Sequence, residues 1–278
     1  YTKRNDFVVW FIDRIYKRII KYCAIAFAIS LMVGIISGFV MMFNIIGNIL
    51  YDDAIVHDNS VSINSNTKVL NIDLNISNLT IKKGDKLNII SNNKYIKVDK
   101  NDGIVNIKEE NHLGFNYKDN KVTITIPTNI KLDNVNLNAG AGKITIDYLN
   151  TSKINFSLGA GKVTIKELNV DKETFIDGGA GKIEILSGNI NNLNFDMGIG
   201  NTIIKSNITG NSDIDCGIGA LELNLLNNMK NYTFEIEKGL GSVTLNKENV
   251  KEGKIGSGIN LIEIDGGVGS ININTQEK

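Results

Sequence analysis

Three lysines, each directly after a Gly-Ala-Gly triplet, are the first residues here whose types and spacing could do chemistry. They are Lys143, Lys162 and Lys182. A glycine-rich loop that ends in lysine can bind phosphate, but that motif needs Gly-x-x-x-x-Gly-Lys-Ser/Thr between a strand and a helix. Here an isoleucine or valine follows each lysine, and no helical pattern comes next. The sequence therefore predicts no nucleotide cofactor at these lysines.

A second charged series consists of Asp177, Asp196 and Asp215, each two residues before a Gly-x-Gly triplet. Stacked in neighbouring coils, such like charges lie about 5 Å apart and repel modestly. One interpretation is a solvated edge that discourages pairing with other chains. The other is a surface, in which the lysines bind anionic envelope polymer or lipid headgroups and the aspartates bind Ca²⁺. Because Ca²⁺ takes six to eight oxygen ligands, we predict no metal site from these carboxylates alone.

Nothing else in the chain has the spacing of a catalytic or metal-binding constellation. The two histidines, His57 and His112, lie outside the glycine repeats, and the two cysteines are too few for a disulfide framework. Residues 1–21 hold six basic and two acidic side chains, so the remainder of this neutral chain is mildly acidic. Nucleic-acid binding needs a basic face and is not predicted. We expect neither an enzyme nor a cofactor.

The elements that would position these charges form an internal repeat. The tripeptide Gly-x-Gly recurs every 19 or 20 residues at first, and then at offsets of 22 and 28. An alternating apolar-polar strand comes before and after it, which indicates strands with one buried face. We predict an all-β parallel β-solenoid over 134–278, in which the glycines form corners where the strand phase slips. These corner residues are Gly140, Gly142, Gly159, Gly161, Gly179, Gly181, Gly198, Gly200, Gly217, Gly219, Gly239, Gly241, Gly267 and Gly269.

The coils are expected to stack one upon the next, each burying its apolar face only against its neighbours. Four phenylalanines, Phe156, Phe175, Phe195 and Phe234, fall at positions that we predict to point inward. Core packing is the expected role of these rings, rather than an aromatic groove for sugar.

Ahead of the strands lies an apolar run at 22–43, with no charge and only Ser30 and Ser37 as polar interruptions. At ~1.5 Å rise per residue it is long enough to span a bilayer core of ~30 Å. The basic residues before it predict a cytoplasmic N-terminus and an extracytoplasmic β-domain. Segment 1–21 is predicted either as an amphipathic helix on the membrane or as an extension of the spanning helix. Residues 44–60 form a short polar linker.

Residues 61–133 have a different rhythm and are predicted as a cap or as the first coils of the same column. Their last strand, V-x-I-x-I-P at Val122–Pro127, leads into the recurrent small-Gly-x-Gly-x-Ile-x-Ile coil. This combination over about 60–275 resembles the bacterial putative-adhesin family of β-strand-repeat proteins. The resemblance implies an envelope protein of low-GC Gram-positive bacteria, some relatives being linked to envelope-stress and antimicrobial-peptide responses. Most members of that family have an acidic residue where this chain has Lys143, Lys162 and Lys182.

These patterns together predict a single-pass cell-membrane protein whose β-domain is a non-enzymatic binding, adhesion or envelope-stress-sensing module. Its partners would be the membrane and an envelope polymer, lipid headgroups or a membrane protein. An alternative is an accessory or structural subunit of a transporter or signalling complex. An enzyme acting on envelope polysaccharide is a third hypothesis, which would require turnover on wall glycans.

Overall fold

The computed structural model describes residues 59–62, 66–110 and 120–276. All of these belong to one compact unit, which comprises 55–113 and 119–278. The predicted basic segment (1–21), the predicted transmembrane helix (22–43) and most of the predicted linker (44–60) lie outside the described residues. In the part of the chain that the structure does describe, no helix is long and apolar enough to span a bilayer.

The described residues form twenty-one β-strands and one 3-10 turn, Met229–Asn231. The first seven strands are β1 Asn59–Ser62, β2 Val69–Leu74, β3 Asn78–Gly84, β4 Asn88–Ser91, β5 Ile96–Asn101, β6 Ile104–Glu109 and β7 Lys121–Pro127. The next eight are β8 Leu132–Ile146, β9 Leu149–Ile165, β10 Leu168–Ile185, β11 Gly188–Asn191, β12 Leu193–Asp196, β13 Ile199–Thr209, β14 Asn211–Asp215 and β15 Ile218–Asn228. The last six are β16 Tyr232–Glu237, β17 Leu240–Leu245, β18 Glu248–Asn249, β19 Gly253–Gly256, β20 Asn260–Asp265 and β21 Val268–Gln276.

The strands stack as a column of rungs, where a rung is the set of strands that one repeat contributes. Neighbouring rungs pair in parallel and in register, so that Leu137 lies beside Phe156, and Phe156 beside Ile176. Every second residue points inward, and these three side chains are at most 3% exposed. Because each rung covers the apolar face of the next, the repeat forms one continuous core. The predicted all-β, solenoid-like fold is confirmed.

The position predicted for Phe175 is wrong. Its side chain is 45% exposed, whereas Phe156, Phe195 and Phe234 are fully buried as predicted. The β10 rung contains one residue more than the β9 rung, and the register shifts between Val170 and Glu173. The extra residue is therefore taken up between the inward positions Val170 and Thr174, and β9 and β10 are again in register from Glu173 onward. As a result Phe175 pairs with an outward-facing asparagine of β9, and its neighbour Ile176 enters the core.

The rungs do not stack in the order in which the chain makes them. The last rung, β20–β21, lies between the β14–β15 rung and the β16–β17 rung: β20 pairs with β14 and β16, and β21 with β15 and β17. The expected sequential stack is wrong at this point. The longer spacings of the last two glycine triplets provide the chain needed to pass over one rung and return.

Antiparallel strands cover both ends of the column. At one end, β2 and β3 pair in parallel with β8, and β6 and β7 lie beyond them with antiparallel partners β5 and β4. At the other end, β19 pairs antiparallel with β16, and β18 with the end of β17. A terminal rung would otherwise expose unpaired backbone groups to other chains. These short strands occupy much of that edge.

Candidate functional site: a carboxylate face and its cleft

The glycine corners place the flanking side chains in register from rung to rung. In six of the seven triplets the second glycine has a positive φ, as at Gly161 (φ +150°). A Cβ atom on Gly161 would lie 1.9 Å from the carbonyl oxygen of Gly142 in the rung below. Both the torsion and the close approach exclude a side chain. The corners thus have a structural role, in which backbone packs directly on backbone and fixes the register of the charges on either side.

Lys143, Lys162 and Lys182 do lie side by side, in register on β8, β9 and β10. Two of them are already paired, because the Glu184 carboxylate lies 2.9 Å from the Lys162 ammonium and 2.6 Å from that of Lys182. Hydrogen bonds from Lys182 and then Lys162 lower the pKa of Glu184 to about 2. Within the described residues, Lys143 has no carboxylate partner. Three ammonium groups and the one carboxylate of Glu184 leave this lysine series with a net charge of +2.

The aspartate series is longer than the sequence suggests. Asp177 pairs with Asp196, and Asp196 with Asp215. Because of the inserted last rung, the series continues from Asp215 to Asp265 and ends at Glu237. Five carboxylates from five successive rungs thus form one row, at a spacing of about 4.8 Å between strands.

A second acidic row runs beside the first, two residues earlier on the last three rungs. It comprises Asp213, Glu263 and Glu235, which are partners in register. We call the eight acids of the two rows the carboxylate face. Among the described residues, the one ion pair made by this face joins Glu235 to the Lys254 ammonium at 2.9 Å.

Electrostatic repulsion within the carboxylate face is visible at its centre. The pKa of Asp215 is raised, first by partial burial and then by the negative charges of Asp213, Asp265 and Asp196. An incoming cation would relieve this repulsion, since opposite charge favours the ionised form of a carboxyl. The face is thus electrostatically suited to a cationic ligand.

An open cleft of about 900 Å³ lies against one end of this face. Five acids of the carboxylate face line it, together with Glu252, Gly253 and Lys254 of the segment that leads into and forms β19, and with Ile236 and Lys238. The Lys238 backbone N–H donates a 3.0 Å hydrogen bond to Glu252 and helps to fix that segment. The cleft is therefore bounded by rungs on one side and by the end-covering strands on the other.

Five acids of this face were not singled out from the sequence: Asp213, Glu235, Glu237, Glu263 and Asp265. An acid-Ile-acid pattern before three glycine triplets is the signal that identifies them. These acids come together also because the last rung lies between the β14–β15 and β16–β17 rungs, an order that no local sequence pattern reveals. Within the described residues, no group of three or more His, Cys, Asp or Glu side chains has an arrangement suited to a metal ion.

Cys216 lies next to the carboxylate face but is not a reactive group. Partial burial, reinforced by Asp215 and Asp265, raises the pKa of its thiol to about 12. The thiolate is the nucleophilic form of cysteine, so this thiol is inert at neutral pH. Its side chain is half-buried against the core, less deeply than a core position would be.

The fold and the site define an all-β, solenoid-like protein with one strongly acidic face. The chain belongs to the Toastrack DUF4097 family, whose model matches residues 56–273. This confirms the resemblance to the putative-adhesin family. No curated protein matches the chain.

Three solved structures are similar to the chain over most of its length. One is a "putative cell adhesion protein" from Clostridium sporogenes, 18% identical, covering 79% of this chain and 99% of its own, with a TM-score of 0.32. A "putative adhesin" from Bacteroides fragilis is 17% identical, with coverages of 78% and 96% and a TM-score of 0.40. A "putative lipid binding protein" from Parabacteroides distasonis is 16% identical, with coverages of 81% and 98% and a TM-score of 0.34.

Proposed function

We propose that the chain is a non-enzymatic binding module whose carboxylate face and cleft bind a Lys/Arg-rich segment of a partner molecule. The observation that carries this proposal is the arrangement of eight carboxylates in two rows with one ion pair among them. Clefts lined by charge of one sign concentrate the oppositely charged ligand and raise its association rate. A row of acids at a regular spacing suits an extended cationic segment better than a single ion.

The lysine series is the weaker candidate surface. Its net charge of +2 is small beside the eight acids of the carboxylate face, and Glu184 competes with an anion for Lys162 and Lys182. Of the two charged series predicted from the sequence, the aspartate series is therefore the better candidate for a binding surface.

Neutralising the carboxylate face tests the proposal. In the full chain, Asp213→Asn, Glu263→Gln and Asp265→Asn together should weaken binding of an oligolysine peptide at least ~tenfold, a loss of about 1.4 kcal/mol or more. Binding of the unsubstituted chain should weaken steeply as salt is raised, because exposed charges are screened. Calorimetric or fluorescence titration gives both results.

A matched control removes the same charge elsewhere. The triple change Asp99→Asn, Asp102→Asn and Glu110→Gln lies on β5, on its turn and just after β6, at the other end of the column. It should leave oligolysine affinity within about twofold, since these charges lie more than a Debye length away along the column. Equal losses in the two triple variants would show only an effect of net charge, and would refute a defined surface.

We further propose that 22–43 anchors this module to a cell membrane, with the β-domain on the extracytoplasmic side. The support is the uncharged run of 22 residues with basic residues before it and acidic ones after it. The full chain should sediment with membranes and resist carbonate extraction, and a chain that lacks 1–43 should not. Soluble full-length chain would refute the anchor. Co-purification of a stoichiometric membrane protein in mild detergent would instead favour the accessory-subunit hypothesis.

A further inference from the structure

The inserted rung, β20–β21, holds the end of the column together. Among the described strands, β16 and β17 do not pair with β14 or β15, and their parallel partners in the column are β20 and β21. Ile262, Ile264 and Ile273 of the inserted rung are fully buried. Without this rung, β16–β19 would have a slot one rung wide between them and the rest of the protein.

The chain enters the slot through a tight crossover at the start of β16. The Gly258 N–H donates to the Tyr232 carbonyl at 3.0 Å, and the Gly258 carbonyl accepts from the Thr233 hydroxyl at 2.7 Å. A Cβ on Gly258 would lie 2.1 Å from the Tyr232 nitrogen. Next to this crossover, Ile259 is 90% exposed, an unusual position for a large apolar side chain.

The slot would accept the β20–β21 rung equally well from its own chain or from a second copy. Among the described strands, β20 and β21 do not pair with each other, and all their partners lie in β14–β17. A connection of three residues, 257–259, is the single covalent link between the rung and the strand before it. Exchange of an identical element between protomers is a low-cost route to a dimer, because the same contacts form again.

We infer that two copies of this chain form a dimer by exchanging their β20–β21 rungs through this slot. The occupant is a second copy because the residues known to fit the slot are the chain's own. Until the last rung docks, β14–β15 and β16–β17 both lack the strands that join them, and a rung from a second copy can take that place, so exchange depends on the concentration at which the chain folds. In the dimer the crossover at Tyr232 opens, and Ile259 becomes part of the link between two columns.

Disulfide mapping in the full chain distinguishes exchange from any other dimer. Glu222 of β15 and Asn272 of the inserted strand β21 are exposed partners in register, close enough for a bridge once both are cysteine. With Cys23→Ser and Cys216→Ala, the double variant is unfolded in denaturant and refolded in detergent at low and high concentration. Oxidation should give a covalent monomer at low concentration and a covalent dimer at high concentration. Intramolecular bridges alone at both concentrations would overturn the inference, even if light scattering showed dimers.

A glycine substitution gives an independent test. Gly258→Ala obstructs the crossover of the monomer but not a rung supplied by a second copy, so the dimer-to-monomer ratio should rise ~tenfold or more, as for a strain of ~1.4 kcal/mol. The matched control is Gly253→Ala, where φ is also positive (+116°) but no atom lies within 4 Å of the added methyl. It should leave the ratio near that of the unsubstituted chain. A ratio that Gly258→Ala lowers or leaves unchanged would contradict exchange at this crossover.

Discussion

Replacing Glu109, whose carboxylate is buried, should lower the free energy of unfolding more than replacing an exposed charged residue such as Glu110. Glu109 is 3% exposed and accepts four hydrogen bonds. The donors are the backbone N–H groups of Asn75 (2.8 Å) and Ile76 (3.1 Å), the Ser77 hydroxyl (3.0 Å) and the Asn93 amide (2.7 Å). Residues 75–77 are the counterpart of a glycine corner, since Asn75 lies against Gly140 and Ser77 against Gly142.

The size of the effect follows from these four contacts. A hydrogen bond to a charged group contributes about 1.5–3 kcal/mol, and a buried donor left without an acceptor costs about 1–3 kcal/mol. Ser77 and Asn93 still have each other, at 3.3 Å, after Glu109→Ala. Among the described residues, the backbone N–H of Ile76 has no such replacement. We therefore expect Glu109→Ala to lower the free energy of unfolding by about 3–5 kcal/mol, and Glu109→Gln, which keeps one acceptor oxygen, by about 1–3 kcal/mol.

Urea unfolding of the full chain in detergent, followed by circular dichroism, measures these differences. The adjacent Glu110→Ala is the matched control, because its 2.7 Å ion pair with Lys97 is exposed. Such pairs contribute about 0–1 kcal/mol. If Glu109→Ala and Glu110→Ala had the same effect, the account of Glu109 as the acceptor for a buried corner would be refuted.

Three further predictions concern the core, the corners and the lysine series. Phe156→Ala should cost about 3–5 kcal/mol of unfolding free energy and Phe175→Ala less than ~1, because only the first ring is buried; equal losses would contradict the register shift. Gly200→Ala, whose Cβ would lie 1.8 Å from a carbonyl oxygen at φ +142°, should cost over ~4 kcal/mol and show reduced amide protection by hydrogen exchange in its rung. The pKa of Glu184 is lowered from 4.5 to about 2. The ionised carboxylate therefore stabilises the fold above pH 4.5, and this stabilisation is lost as the pH falls toward 2. The melting temperature of Glu184→Gln should therefore fall less over that window than that of the unsubstituted chain.

Local pattern was sufficient to predict most of the fold. Alternation gives inward positions such as Val135 and Leu137, both fully buried, and the glycine triplets give the length of a rung. The pattern is sufficient because each rung repeats the same local structure, which has two apolar faces that must be buried and one corner without Cβ atoms. Where a rung gained one residue, as before Phe175, the sequence alone did not show on which side of the strand the extra residue would be taken up.

The candidate site was predicted only in part, for reasons of topology. The row Asp177–Asp196–Asp215 follows from three equally spaced repeats. To predict its continuation to Asp265 and Glu237, one must know that the last rung lies between the β14–β15 and β16–β17 rungs. The partner of the lysines, Glu184, could be recognised only after the outward register of β9 and β10 was known, since its carboxylate lies between Lys162 and Lys182.

The extra residue before Phe175 shows where this protein tolerates a change in length. Its rung absorbs the insertion between Val170 and Glu173 and returns to register from Glu173 onward, whereas Gly161 and its counterparts have no space even for a methyl group. The column thus has one corner that is closed to variation and another that accepts additional chain. Loops grafted at the second corner would project from the same side of successive rungs, about 4.8 Å apart, without disturbing the core. That side of the molecule is where a designed binding segment should be inserted.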